Sequence, residues 1–216
     1  MTGRPRGRPP VLSLDRIVDA ALDLVDRTGS LSMVDLGAEL GVDPSAVYHY
    51  VAGRAGLVSA VAERFTAPLL EPVPATDDWR ADLEALLRRT EQLYRSRPAV
   101  GLLILAEADL TGAVLDVIGL GIDILRRSGA TERDVFVTFH AVEIALAGAI
   151  TYDLVGAPHD DEVRREYHRR IGRFDIDELY PTPSELAEES TSTAWILVRA
   201  ALDRLESIVA LGDAEA

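Results

Sequence analysis

The chain of 216 residues has no cysteine, which excludes a disulfide framework, a thiolate zinc site and a cysteine nucleophile. Lysine is absent as well, so all 22 basic side chains are arginines. Aromatics are sparse at 6% while hydrophobic residues reach 48%, the balance of a compact, apolar-cored chain and not of a disordered one. No apolar stretch near the N-terminus is long enough for a signal peptide. The longest greasy run, 135–152, is broken by Thr138, His140 and Glu143, and is expected to be a buried helix, not a membrane span. Alternating strand patterns and internal repeats are missing. So are a phosphate-binding glycine loop, a G-x-S-x-G elbow and an H-E-x-x-H pair. Glu107 and Asp109 stand two apart on a helix and do not face each other. An enzyme is therefore not expected, no cofactor or metal is implied, and a cytoplasmic protein without membrane contact is the default.

The length suffices for a sizeable core and two packed units. The 36 acidic side chains leave a net charge of −14, which argues against a general nucleic-acid coat. The charge is unevenly placed. Residues 1–65 carry seven arginines against eight acids, whereas 66–216 carry fifteen against twenty-eight. Residues 1–14 hold three arginines and no acid. A basic tip on a neutral head and an acidic body suits local contact with a polyanion, although a floppy basic tail on a solubilising surface has the same pattern.

Glycine and proline divide the chain into helical segments. Leu14, Ile17, Val18, Ala21, Leu24 and Val25 form one apolar stripe, entered through Ser13 and closed by Gly29. Ser32 and Asp35 have capping-box spacing for a helix that runs to Leu40 and stops at Gly41. Asp43 then caps a short helix, with Pro44 at the first position, where a missing N–H costs nothing, ending near Tyr50. A fourth helix spans 54–67, up to the proline-rich stretch 68–74, where the domain boundary is placed. Further helices are expected over 79–96, 99–109, 112–127, 131–155 and 191–211, with a polar one over 160–173. The fold class is all-α.

Residues 31–51 carry the most specific pattern. Two short helices meet at a turn holding Gly41, and Leu36, Leu40, Val42, Val47 and Val51 sit where two crossed helices would share a small core. Gly37 sits where the helices need close approach, at a helix-propensity loss of about 1 kcal/mol. This is the layout of a helix-turn-helix that presents its second helix to the DNA major groove.

On Ile17, Ala20-Ala21, Leu24, Gly29, the run 36–42, Val47-Tyr48-His49-Tyr50-Val51, Arg54 and Leu57, the first 65 residues resemble the N-terminal domain of the tetracycline-repressor (TetR) family of bacterial transcriptional regulators. The remainder resembles the family's C-terminal body more weakly, through Trp79, Arg97-Pro98 and 195–205. The resemblance implies a basic arm over 1–13, a three-helix DNA-binding domain over 14–65, and a helical bundle for ligand binding and dimerisation over 66–216.

At the head of the recognition helix, after Pro44, the small residues Ser45 and Ala46 let the backbone approach the groove. Ala46 could touch a thymine methyl, and Ser45 a base edge or phosphate. Tyr48 resembles the family's phosphate-binding tyrosine, and His49 and Tyr50 offer polar rings to bases or backbone. Packing between helices is the other reading of Tyr48 and Tyr50. Arg54 matches a position where the family commonly has a basic phosphate ligand, and Ser32 would hold a phosphate with the exposed amides of its helix. Val34 stands where many members are polar or basic, and Ala52-Gly53 replaces a frequent lysine-asparagine pair. Fewer phosphate contacts imply a shallower salt dependence. Pro5-Arg6-Gly7-Arg8-Pro9 matches an AT-hook core, so Arg6 and Arg8 would enter a narrow A·T-rich minor groove, or else contact phosphates nonspecifically.

Two-fold dimers of such heads read half-sites about 34–36 Å apart, or multiples of that spacing. Small residues Ala141, Ala145, Ala147, Gly148 and Ala149, with Leu197, Val198, Ala201, Leu202, Leu205, Ile208 and Val209, fit a four-helix homodimer interface of the kind the family uses; ordinary core packing has the same periodicity. The family's bodies usually hold a small-molecule effector, for which the candidates are Trp79, Tyr94, Leu103, Phe136, Phe139, His140, Glu143 and Tyr152. His140 and Glu143 lie three apart on one helix, able to bond a ligand, to help bind a metal, or to bridge two helices as a satisfied pair. The expected partners are a palindromic double-stranded operator, an effector and a second copy of the chain. The alternative is an A·T-rich DNA-binding architectural protein without an effector. A solvent-reachable apolar cavity in the body favours the first.

Overall fold

The computed structural model describes residues 12–107, 112–155 and 193–215, with side chains described over 12–107, 112–151 and 195–212. The arm with Arg6 and Arg8, and the polar helix expected over 160–173, lie outside the described residues. The fold is all-α: a small helix-turn-helix head followed by a helical bundle.

In the head, α1 (Leu14–Thr28) starts at Ser13, whose hydroxyl accepts from the Arg16 N–H at 3.3 Å, and ends at Gly29. Its apolar stripe is buried as the periodicity expects, with Ile17, Ala21 and Val25 at 0% exposure, except at the helix start, where Leu14 is 44% exposed. α2 (Met33–Leu40) is capped by Ser32, which accepts from the Asp35 N–H at 3.3 Å. α3 (Pro44–Val47) is shorter than expected; beyond it the chain continues as tight turns, with the Tyr50 N–H donating to Val47 O at 2.9 Å. Leu36, Val47 and Leu57 are fully enclosed where α2, α3 and α4 (Gly53–Thr66) meet α1. Truncating a leucine so placed costs about 2–5 kcal/mol, so these contacts define the head.

Two glycines are required by this geometry. A Cβ on Gly37 would sit 3.0 Å from Pro44 Cγ and 3.1 Å from Val42 O, so α2 and α3 pack through a bare backbone. Gly53 has φ +72°, a left-handed conformation open to glycine and tolerated by asparagine. The glycine that stands in the lysine-asparagine pair thus keeps the backbone and gives up only the side chain.

A 3-10 turn (Ala67–Leu70) carries α4 into the body, burying Leu69 at 2% exposure. There follow α5 (Trp79–Ser96), α6 (Pro98–Glu107), α7 (Ala113–Arg126), α8 (Glu132–Val155) and α9 (Thr193–Glu215). α8 and α9 form the most extensive helix pair, and Trp195 of α9 is locked onto α5 by an indole N–H to Glu91 at 2.9 Å and the Arg88 guanidinium 4.3 Å above its ring.

α8 is less buried than the sequence suggests. Over Glu132–Thr151 its mean hydropathy is 1.5, enough by length and composition to cross a membrane, yet only 33% of that window is buried within this chain. The exposed side carries Phe136, His140 and Ile144 at four-residue spacing, beside Ile196 and Leu197 of α9. Of the residues with dimer-interface spacing, Val198, Leu202 and Leu205 are enclosed in this chain's own core, whereas Leu197 is 53% exposed.

Candidate nucleic-acid interface and effector cavity

Ser45, Tyr48, His49 and Tyr50 are exposed on the outer side of α3 and its following turn, with Pro44 and Ala46 half-buried beside them. Exposures of 52% for Tyr48 and 42% for Tyr50 exclude a simple packing role for either ring. Tyr50 is not idle, however: its hydroxyl donates to Leu12 O at 3.0 Å and fastens the chain entering α1 to the turn after α3. Asp43 holds the start of α3, accepting from the Ser45 N–H at 2.8 Å. Hydrogen bonds from Ser45, side chain first and backbone second, keep the Asp43 carboxyl below the usual aspartate range. Half-buried Ser32 caps α2 as an acceptor, so its hydroxyl hydrogen is left for an outside oxygen.

The head's cations are largely engaged. Arg27 pairs with Glu39 across α1 and α2, and Arg64 pairs with Asp15 and, at 2.7 Å, with Asp19. Arg54 donates through Nε to Leu31 O at 3.2 Å and meets Glu107 at the end of α6 with both terminal nitrogens, one at 2.9 Å. The sequence view of Glu107 considered only catalysis and missed this ion pair, which joins residues 53 positions apart. At the other end of α6, Arg97 reaches Asp26 at 2.6 Å and Asp23 at 3.3 Å on α1. α6 is thus tied to the head at both ends.

Between α4, the 3-10 turn and α5–α8 lies a cavity of about 290 Å³. Of the eight effector candidates, Tyr94, Phe139 and Glu143 line it. Leu103 is buried in the adjoining core without reaching the wall, and half-buried Trp79 packs elsewhere on the core. Phe136 and His140 point away to the exposed side of α8, their rings 4.3 Å apart, so His140 and Glu143 do not act together. The three-residue spacing fails to bring them together because the wall of the cavity falls between their directions. The side chain of Tyr152 lies outside the described ones. Sequence periodicity did not single out Thr66, Leu69 or Thr90, which also line the space. Burial, and after it the charge of Glu143, pushes the Tyr94 phenol up to about 12, so it stays a neutral hydroxyl. Among the described residues, no group of three or more histidine, aspartate or glutamate side chains could hold a metal ion.

No protein-family model matches the chain. It is 32% identical over 181 residues to the HTH-type transcriptional repressor DrrR1 of Streptomyces coeruleorubidus, covering 82% of this chain and 64% of that protein. An HTH-type transcriptional regulator of Saccharopolyspora erythraea is 26% identical over 165 residues, covering 71% and 65%. The chain thus spans less than two thirds of the length of these relatives. Among solved structures, apo ActR of Streptomyces coelicolor matches with a TM-score of 0.69 over 92% of this chain and all of that one, at 16% identity. The TetR regulator SCO7222 of the same organism matches at 0.64, covering 93% and 99%, at 22% identity.

The chain has the fold of TetR regulators. The TetR fold extends through the body, where the sequence resemblance was thin, and its helix-turn-helix is the segment that the run 36–42 and Val47-Tyr48-His49-Tyr50-Val51 marked. ActR has also been solved in complex with (S)-DNPA.

Proposed function

We propose that the protein is a homodimeric transcriptional repressor that binds a two-fold symmetric operator and leaves it when a small molecule fills the cavity. The observation that carries this reading is the course of α4. It begins beside the recognition turn with Arg54 and ends with Thr66 in the cavity wall, about 20 Å away for a helix of its length. α6 runs the same route, lending Ile104 and Leu105 to the wall and Glu107 and Arg97 to the head. A ligand that displaces either helix re-aims the head, provided it binds the released form better than the DNA-bound form.

In this reading Ser45, Ala46 and His49 face base edges from a helix start set by Pro44, while Tyr48, Ser32 and Arg54 hold phosphates and Tyr50 steadies the arm. Arg6 and Arg8 would follow the minor groove. The apolar side shared by Phe136, Ile144, Ile196 and Leu197 is the natural seat of a second copy, and the complex of ActR with (S)-DNPA supports a ligand role for this fold. A cavity in the body favours effector control over the architectural alternative.

Selection of genomic fragments by the purified protein, with binding followed against salt, tests the proposal. A two-fold symmetric site, lost on Tyr48→Ala or Arg54→Ala while the thermal transition is kept, is the expected result. Enrichment of A·T-rich DNA without symmetry, abolished by removing Arg6 and Arg8, would favour the architectural protein. Absence of DNA binding at every salt concentration would overturn both.

A further inference from the structure

The cavity's chemistry narrows what can fill it, an inference that rests on the effector role proposed above. The wall is aliphatic apart from Phe139 and four polar residues, Thr66, Thr90, Tyr94 and Glu143. Both threonines spend their hydroxyl hydrogens on their own helices, Thr66 on Ala62 O at 2.8 Å and Thr90 on Leu86 O at 3.0 Å. Their oxygens can still accept, so a guest meets two weak threonine acceptors, the Tyr94 phenol and, as the one charged acceptor among the described residues, the Glu143 carboxylate.

Among the described residues Glu143 is the one charged side chain in the wall, and no cation lines it. Every other carboxylate noted between head and body meets an arginine, but Glu143 makes no ion pair among the described residues. A carboxylate in an apolar recess gains most from a partner that brings a positive charge and hydrogen-bond donors. A neutral apolar guest would bury the wall and leave that charge unmatched, and an anion would be repelled. The surroundings act in the same direction. The body's twenty-eight acids against fifteen arginines raise the local concentration of cations at its surface.

We propose that the cavity binds a lipophilic ammonium: a compact apolar frame of one or two rings bearing a protonated amine, which donates to the Glu143 carboxylate and to the Tyr94 hydroxyl oxygen. The frame covers Phe139 and the leucines of α5. Its size follows from the volume of about 290 Å³, at the lower end of small-molecule pockets.

Three probes sharing one fluorescent frame test the charge requirement: 1-naphthylmethylammonium, neutral 1-naphthylmethanol and anionic 1-naphthylacetate, titrated against the full chain. The ammonium is expected to bind at least about tenfold more tightly than the alcohol, the gain of a charge-assisted hydrogen bond, and the acetate most weakly. Glu143→Gln should erase the difference between ammonium and alcohol while leaving alcohol binding unchanged, which also shows that the variant is folded. Tyr94→Phe should weaken the ammonium by a smaller factor. Equal binding of ammonium and alcohol, a preference that survives Glu143→Gln, or no binding of any of the three overturns the proposal. Release of a selected DNA fragment is read in parallel. Ammonium binding that depends on Glu143 but leaves DNA binding intact refutes the effector role and keeps the cation site; release by the neutral alcohol alone does the opposite.

Discussion

Arg54 and Glu107 join the first turn of α4 to the last turn of α6, with Arg54 N–H groups on both carboxylate oxygens and a third on Leu31 O at 3.2 Å. The guanidinium that the helix-turn-helix would offer to a phosphate is therefore occupied by the body's own carboxylate. Both side chains are partly exposed, 43% and 37%, so the pair is solvent-screened and exchangeable, not a fixed strut. In the proposed complex an operator phosphate and Glu107 would compete for one cation.

Glu107→Gln should therefore tighten operator binding several-fold at low salt. It should also steepen the dependence of log K on log salt by about 0.9, one phosphate contact on double-stranded DNA. Filter binding or fluorescence anisotropy over a salt series measures both. An unchanged slope would mean that Glu107 does not keep Arg54 from a phosphate.

Tyr50→Phe deletes the hydroxyl that bonds Leu12 O. The loss of one hydrogen bond, about 0.5–1.5 kcal/mol, should fall on the arm and not on the core, because the ring is exposed. The expected outcome is a nearly unchanged thermal midpoint with a several-fold loss of affinity that is largest on operators with A·T-rich flanks. Equal loss on all flanks would place Tyr50 directly on the DNA.

Gly37→Ala tests propensity against packing. Alanine gains about 1 kcal/mol as a helix former, but its Cβ would stand 3.0 Å from Pro44 Cγ and 3.1 Å from two backbone atoms that cannot swing aside. Overpacking of this kind costs about 1–3 kcal/mol, so the variant should melt at lower temperature and bind DNA less well. A higher melting temperature would show that α2 and α3 can separate without penalty.

Acid should weaken the fold where carboxyls are held low, at Glu132 beside Arg126 and at Asp43 and Asp82. Asp43 is kept below the usual aspartate range by Ser45, and Asp82 by Arg127 first and Thr76 next, the Arg127 bond being 2.6 Å long. A carboxyl whose folded value is depressed contributes its stability fully above the unfolded value, and loses it as pH falls through the unfolded range toward the folded one. Melting temperature should thus drop below about pH 4, and Asp82→Asn should flatten that drop while lowering stability at neutral pH. Calorimetry across pH 3–7 decides; an unchanged acid slope would remove Asp82 from the account.

Ile144 is 69% exposed on α8, in line with Phe136 and His140. Ile144→Glu should leave the chain folded, turn a dimer into a monomer in sedimentation, and abolish binding to a two-fold site. A variant that stays dimeric would put the interface elsewhere.

The fate of particular residues shows what could be read before the structure. Ser13, Ser32 and Asp43 cap helices, and Gly29, Gly41 and Pro44 bound them, because caps and turns are local bargains between a side chain and the three or four residues beside it. The head's core was legible for a related reason: Leu36, Val47 and Leu57 sit on short helices whose small, well-marked turn leaves few ways to bury them. In the body the same reasoning located helices but not their neighbours. Helical spacing put His140 and Glu143 on one side of α8, and packing divided them between the outer surface and the cavity.

By itself, then, the sequence determined an all-α chain, a helix-turn-helix with its exposed polar turn, and an acidic body, all of which follow from local propensity, periodicity and composition. Only the tertiary structure decided that Arg54 faces Glu107, that Tyr50 holds Leu12, and that Glu143 is the one charged side chain among the described residues of the cavity wall. Each of these is a meeting of groups far apart in the chain, or a choice between two sides of one helix. Such meetings are set by the packing of whole helices against one another, for which the chain's local pattern carries no address.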